Sequence, residues 1–237
     1  MKIAGHAAML ELARPNGTIY PTLAWDKSNL VLIDTGFPGQ TDALVSAIAA
    51  EGFRAEDITH IILTHQDIDH IGCLPDLLRL APSAQVIAHE AEAPYIDGRK
   101  TPIKLAMLLE NYDRLPEQMK GFCDQLQVGF ADRRVAVKQT VEDGEALPIA
   151  GGIEVVHTSG HTLGHIALFL RQGRIMVAGD AANIADGQLT GPNPQHTYDM
   201  AQGMRSLEKL KAYDNQGVVA YHGGFQPLGG PRRPSSI

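Results

Sequence analysis

Residues 58–72 read ITHIILTHQDIDHIG, and this stretch constrains the chain more than any other. The apolar, β-branched run 58–64 has the character of a short buried strand. It stops at His65, and four groups able to bind metal, His65, Asp67, Asp69 and His70, follow within six positions. Where a buried strand ends, the backbone opens into a loop whose side chains converge on one point. In an extended continuation His65, Asp67 and Asp69 face one way, and His70 covers the other side as the chain turns. Packing two carboxylates and two imidazoles together without a cation is costly, because like charges a few ångströms apart do not both stay ionised cheaply. A divalent metal removes that cost. The alternative is a polar strand-to-helix loop in which Asp69 caps the helix that follows.

Three more ligand types stand at the ends of apolar runs: His161 in TSGHTLGH after 153–159, Asp180 closing RIMVAGD, and His222 in VVAYHGG. Each run is too apolar for a surface loop, and the flanking glycines let backbone approach closely. Around these motifs the chain alternates strands and helices. Runs 18–25 and 29–34 read as a hairpin ending at Asp34-Thr35-Gly36, with a helix over 41–51 after it. A short helix and a strand near 84–88 follow. Residues 100–128 have helical spacing and read as an insertion or lid. Pro116 fits the first turn of their second helix, with Met119, Phe122, Cys123 and Leu126 on one face. RVAVKQ, 153–159, 165–172 and 174–180 read as strands, then a helix over 197–213 and a last strand over 218–224. Each half runs strands and then helix without a linker, which predicts sheets packed together with helices outside. Residues 1–237 read as a single domain, and the polar, Pro-rich 229–237 as a frayed tail.

At 237 residues, 44% of them hydrophobic and 20% charged, the chain has enough apolar material for an ordinary packed core. The net charge of −7 argues against nucleic acid as a partner, since phosphate binding draws on concentrated Lys and Arg. No stretch reaches the roughly 18 consecutive apolar residues of a membrane span. The N-terminal MKIAGHAAMLELARPNG is a poor signal-peptide core, so the expected location is the cytoplasm. Cys73 and Cys123 lie in no paired motif, which predicts reduced thiols and no thiolate zinc site.

Taken together, LIDTG, THQDIDHIG, SGHTLGH, AGD and YHGG, in this order and spacing from Leu32 to Gly224, resemble the metallo-β-lactamase superfamily. The resemblance implies an α/β fold, a four-layer αβ/βα sandwich of two mixed β-sheets flanked by helices, with a binuclear metal site on one edge. His65 and His161 would then serve a first metal, Asp69, His70 and His222 a second, and Asp180 both. Asp34 would support the metal loop from behind. The departure is residue 67: the usual pattern is H-x-H-x-D-H, and this chain has Asp67 in place of the second His. A carboxylate there keeps a ligand but exchanges nitrogen for hard oxygen and adds a negative charge. That leaves manganese or iron open beside the zinc that the family suggests. Two further readings remain at this position, that Asp67 points away or that a single metal binds.

The chemistry so implied is hydrolysis of a carboxylic ester, lactone or thioester by a hydroxide shared between two divalent metals, with Asp69 passing a proton to the leaving group. In similar lactonases a Tyr shortly after the bridging Asp contacts the substrate carbonyl. This chain reads D-A-A-N there, making Asn183 the candidate oxyanion donor. The alternatives on the same fold are a phosphodiesterase or a non-heme iron redox enzyme acting on a thiol. The expected partner is a small-molecule substrate, with neither nucleic acid nor membrane, and a homo-oligomer stays open. Of the other histidines, His60, His157 and His165 read as structural, and His89 and His196 as rim residues.

Overall fold

Alternation along a few short strands divides the apolar residues among three cores. In Leu30–Ile33, Val31 and Ile33 face one way and Leu30 and Leu32 the other, and Ile62 likewise opposes Ile61 and Leu63. Successive strand side chains point to opposite faces, so each such strand must be covered on both sides. The computed structural model, which describes residues 1–228, shows how. One sheet has the strand order Lys2–Ala4, Ala7–Met9, Thr22–Trp25, Leu30–Ile33, His60–Leu63, Gln85–His89 and Gln139–Val141. It is antiparallel up to Leu30–Ile33 and parallel beyond. The other runs Ala146–Leu147, Ile153–His157, Ile166–Leu170, Ile175–Val177, Gly217–Ala220 and Gly224–Pro227. Its one parallel pair joins Ile175–Val177 to Gly217–Ala220.

Between the sheets, Val31, Ile33, Ile62 and Ile87 meet Val155, Ile166, Leu168, Val177 and Val219. Outside the first sheet, Leu44 and Ile48 of helix Thr41–Ala50 and Leu74 and Leu77 of helix Leu74–Leu80 cover Leu32, Ile61 and Val86. Outside the second, Leu207 and Leu210 of helix Met200–Lys211 cover Val156, Ala167, Met176 and Val218. That helix is the crossover its parallel strand pair needs. Asp199 starts it by accepting the Gln202 N–H, and Lys209 and Lys211 complement the dipole at its end. The four layers are therefore helix, sheet, sheet, helix, the sandwich expected from the motifs. Each fully buried aliphatic side chain contributes about 1.5–3 kcal/mol, so the shared inter-sheet core holds the two halves together.

The strand directions place the chemistry. Leu30–Ile33, His60–Leu63 and Gln85–His89 run parallel, so all three end on one edge of the first sheet. Ile153–His157, Ile175–Val177 and Gly217–Ala220 point the same way as one another in the second. The Ile166 N–H donates to the Thr64 carbonyl, stitching the two edges together.

Several local expectations change. After Leu63 the chain bends, and Ile68–Ile71 is a one-turn helix, so Asp69 already lies on a helical turn and not on an extended segment, and the turn expected at His70 begins two residues earlier. RVAVKQ is extended but enters the sheet only at Gln139. Its Val135 and Val137 pack on the first core, and the Val135 N–H bonds the Ile96 carbonyl outside any ladder. Residues 100–128 form helices Ile103–Glu110 and Glu117–Ala131, the second following Pro116. On it Cys123 is buried, whereas Met119 and Phe122 are exposed, because no element packs over that side of the helix. Two short hairpins, Leu12–Arg14 with Gly17–Ile19 and Asn183–Ala185 with Gln188–Thr190, were not anticipated. The expected fraying of 229–237 lies outside the described residues.

Gly72, directly after the one-turn helix, sits where an added Cβ would collide with the Phe37–Pro38 backbone. Gly72→Ala is expected to cost about 1–3 kcal/mol through overpacking. At roughly 2–4 °C per kcal/mol for a chain of this size, thermal denaturation should show a Tm lowered by several degrees. An unchanged Tm would mean that the Phe37–Pro38 loop yields freely.

Candidate metal centre

The site begins with a strained residue. Asp34 has φ of 61°, a left-handed conformation that Asp tolerates better than most side chains. The turn aims its carboxylate back at the neighbouring strand end. It accepts the Thr64 N–H at 2.9 Å and the Thr64 hydroxyl at 2.8 Å, and lies 2.9 Å from His70 Nδ1. A proton on Nδ1 is thus held toward Asp34, and Nε2 is left facing the cleft. The Tyr221 ring lies on His70 with centroids 3.9 Å apart, and its hydroxyl donates to the Asp69 carbonyl at 2.6 Å.

Two clusters result. The ligand atoms of His65, His161 and Asp180 lie within 4.8 Å of one another, and so do those of Asp69, His70 and His222. Asp180 also reaches the second cluster: Oδ2 is 3.4 Å from His161 Nε2 and 3.3 Å from His222 Nε2, and Oδ1 is 3.4 Å from His70 Nε2. Asp67 turns inward, with Oδ2 3.2 Å from His65 Nε2 and 3.1 Å from His161 Nε2. Asp69 Oδ2 lies 3.2 Å from His222 Nε2 and 3.8 Å from His70 Nε2. All seven residues of the motif set therefore meet in one place. His65 Nε2, His70 Nε2 and Asp180 Oδ1 are buried with no hydrogen-bond partner, an arrangement that costs free energy unless something binds them. Imidazole and carboxylate donors of this kind suit divalent transition ions, and the residues fit such ions.

The electrostatics differ between the clusters. Burial, with His70 and His161 nearby, depresses His65 to about 4, so its ring is neutral and ready to ligate. Burial pushes the same way at His222, yet Asp180 and Asp69 outweigh it and raise the ring to about 9. His70 is also held well above its ordinary value, Asp34, Asp69 and Asp180 overcoming its burial. Burial would raise Asp67, but His65, His161 and Lys104 keep it well below the usual carboxylate range.

Other residues frame the centre. His165, read as structural, accepts the Asp180 N–H on Nε2 at 3.0 Å, and its Nδ1 lies 2.8 Å from the Thr158 hydroxyl. Burial, then His65 and His161, lower its pKa well below the ordinary value, so Nδ1 is the nitrogen that donates to Thr158. Glu92 is wholly buried. One of its oxygens takes the Gln66 backbone and side-chain N–H groups, both at 2.9 Å, and the other takes the Thr162 hydroxyl and the Gly164 N–H, both at 2.7 Å. It clamps the His65–Asp67 loop to the His161 loop. Sequence reasoning missed it, because nothing in HEAE separates buried Glu92 from exposed Glu90. Lys104 was missed too; its ammonium contacts Asp67 and lies 2.9 Å from His161 Nε2. The His89 and His157 rings stack at 4.4 Å. His196 is exposed, and desolvation followed by Lys104 and His161 lowers its pKa. Asn183 opens the hairpin strand Asn183–Ala185, half-buried, and among the described residues no hydrogen bond joins its amide to the seven.

A ligating imidazole must give up the proton on the nitrogen that binds. The proton on His222 therefore competes with metal below about 9. Apparent zinc affinity of the Asp69–His70–His222 cluster should rise with pH throughout the range below about 9 and level off above it. Binding near neutral pH should release protons. Calorimetry in two buffers of different ionisation enthalpy measures this; equal heats in both would contradict it.

The family model described as the metallo-beta-lactamase superfamily matches residues 15–222. The probable metallo-hydrolase YflN of Bacillus subtilis (strain 168) is 30% identical over 216 residues, 82% of this chain and 75% of that protein. The atrochrysone carboxyl ACP thioesterase dmxR1 of Cryptosporiopsis sp. (strain 8999) is 26% identical over 198 residues, 81% of this chain. The chain spans only 47% of that thioesterase. Among solved structures, the metallo-beta-lactamase family protein TTHA1429 from Thermus thermophilus superposes with a TM-score of 0.71 at 24% identity, over 95% of this chain and 76% of that one. With its motifs converging on one sheet edge and the family model covering most of its length, the chain belongs to the metallo-β-lactamase superfamily.

Proposed function

We propose that this chain is a binuclear metal-dependent hydrolase acting on an ester-like bond, a carboxylic ester, lactone or thioester. The observation that carries the reading is Asp180, whose two oxygens reach ligand atoms of both clusters at 3.3–3.4 Å. Two divalent ions held by these residues would supply a water acidic enough to give hydroxide near neutral pH and would polarise an acyl bond. The protein's own groups do the rest. Asp34 and Thr64 orient His70, and His165 orients Asp180 through its backbone. The Asp69 carboxylate, beside His222, is placed to hold and pass on a proton to the leaving group. Asn183, three residues past Asp180, offers an amide for the developing oxyanion. The thioesterase name of the fungal relative supports an acyl substrate over a phosphodiester.

Elemental analysis of the purified chain, followed by ester, lactone, thioester and phosphodiester substrates, tests the reading. The expected result is two metals per chain, turnover of an acyl substrate, and loss of turnover on chelation. Phosphodiester turnover alone would replace the acyl substrate with a phosphodiester, and oxygen uptake with a thiol on a single iron would replace the hydrolase with a redox enzyme.

A further inference from the structure

Asp67 brings one more negative charge to the first cluster than an imidazole would. The structure supplies a matching positive charge from a distant segment. Lys104 stands in the first turn of helix Ile103–Glu110, the arm lying between the ligand loops of the two halves. The arm is anchored there: the Ile103 N–H donates to Gln66 Oε1 at 2.8 Å, and Gln66 is the residue before Asp67. The Lys104 ammonium meets Asp67 Oδ2 and pairs with no other carboxylate among the described residues. It is also 2.9 Å from His161 Nε2, the nitrogen that faces Asp180.

We propose that Lys104 is the counter-charge of Asp67, so that the pair stands in the first cluster for one neutral ligand. It is a positioning residue, acting on the metal through Asp67. The proposal rests on the metal-dependent reading above. Were His161 Nε2 to hold a metal, its lone pair would no longer be open to the ammonium, and Asp67 would remain the partner of Lys104. Arginine in its place keeps the charge, whereas methionine keeps the length and removes it.

The consequence lies in zinc affinity. Lys104→Met leaves Asp67 uncompensated and should tighten zinc binding. Asp67→His trades the carboxylate for an imidazole nitrogen that suits zinc but leaves Lys104 as a bare cation beside the ion. Lys104→Met on top of Asp67→His should therefore tighten zinc binding again, whereas Lys104→Arg alone should stay close to the unaltered protein. A unit charge about 5 Å from a dication shifts affinity by about tenfold even at the dielectric constant of water, so removing the Lys104 charge should have that effect in either background. Zinc affinity of the full chain is read by competition with a chromophoric chelator, with circular dichroism confirming that each variant is folded. Tighter zinc binding on Lys104→Met in both backgrounds, with Lys104→Arg like the unaltered protein, supports the proposal. A Lys104→Met effect within about twofold, both in the unaltered chain and on top of Asp67→His, would overturn it while leaving metal binding intact. No zinc binding by the unaltered protein would overturn the metal-dependent reading and this proposal with it.

Discussion

Four acidic or imidazole groups from one sheet edge and three from the other meet in one place, with His65, His70 and His161 buried, the three carboxylates half-buried and His222 exposed. Each of the seven lies within 3.4 Å of another member of the set. Buried charges at such distances must be paired or neutralised, and the surroundings are arranged for this. Asp34 faces His70, Tyr221 holds the Asp69 backbone, His165 takes the Asp180 N–H, and Glu92 ties the two ligand loops together. Three candidate ligand atoms, His65 Nε2, His70 Nε2 and Asp180 Oδ1, still lack a hydrogen bond, and a bound cation would satisfy all three.

The sandwich serves that edge. Because the inter-sheet core is built from alternate residues of strands whose other residues face helices, the strands cannot slide without exposing a whole apolar row. Ligands placed shortly after Leu63, His157, Val177 and Ala220 therefore keep their positions. The least covered segment is the 100–131 arm, which carries exposed Met119, Phe122 and Val128 yet touches the centre through Ile103 and Lys104.

How much was legible in the sequence follows from how local each signal is. The buried strands over 30–33, 60–63, 153–157 and 217–220 announce themselves by apolar runs, and the ligand motifs by the polar residues that end them. Strands Lys2–Ala4 and Ala7–Met9 do not, because they are three residues each and become strands only by pairing with Thr22–Trp25 and with one another. The hairpin after Asp180 is equally short. Alternation carried through 65–69 predicts Asp69 on an extended segment with the turn only at His70, whereas the chain closes into a helix already at Ile68. Glu92 and Lys104 act across 26 and 37 residues of separation, from Gln66 and Asp67 respectively. No spacing rule within one segment reports a contact of that range.

We propose that one carboxylate, Asp180, joins the two clusters into a single binuclear centre. Manganese-loaded protein tests it most directly by electron paramagnetic resonance, which distinguishes two exchange-coupled ions from two isolated ones. The expected result is a coupled pair in the unaltered chain, and in Asp180→Ala both loss of coupling and fewer than two ions per chain. A coupled, fully loaded pair in Asp180→Ala would contradict it.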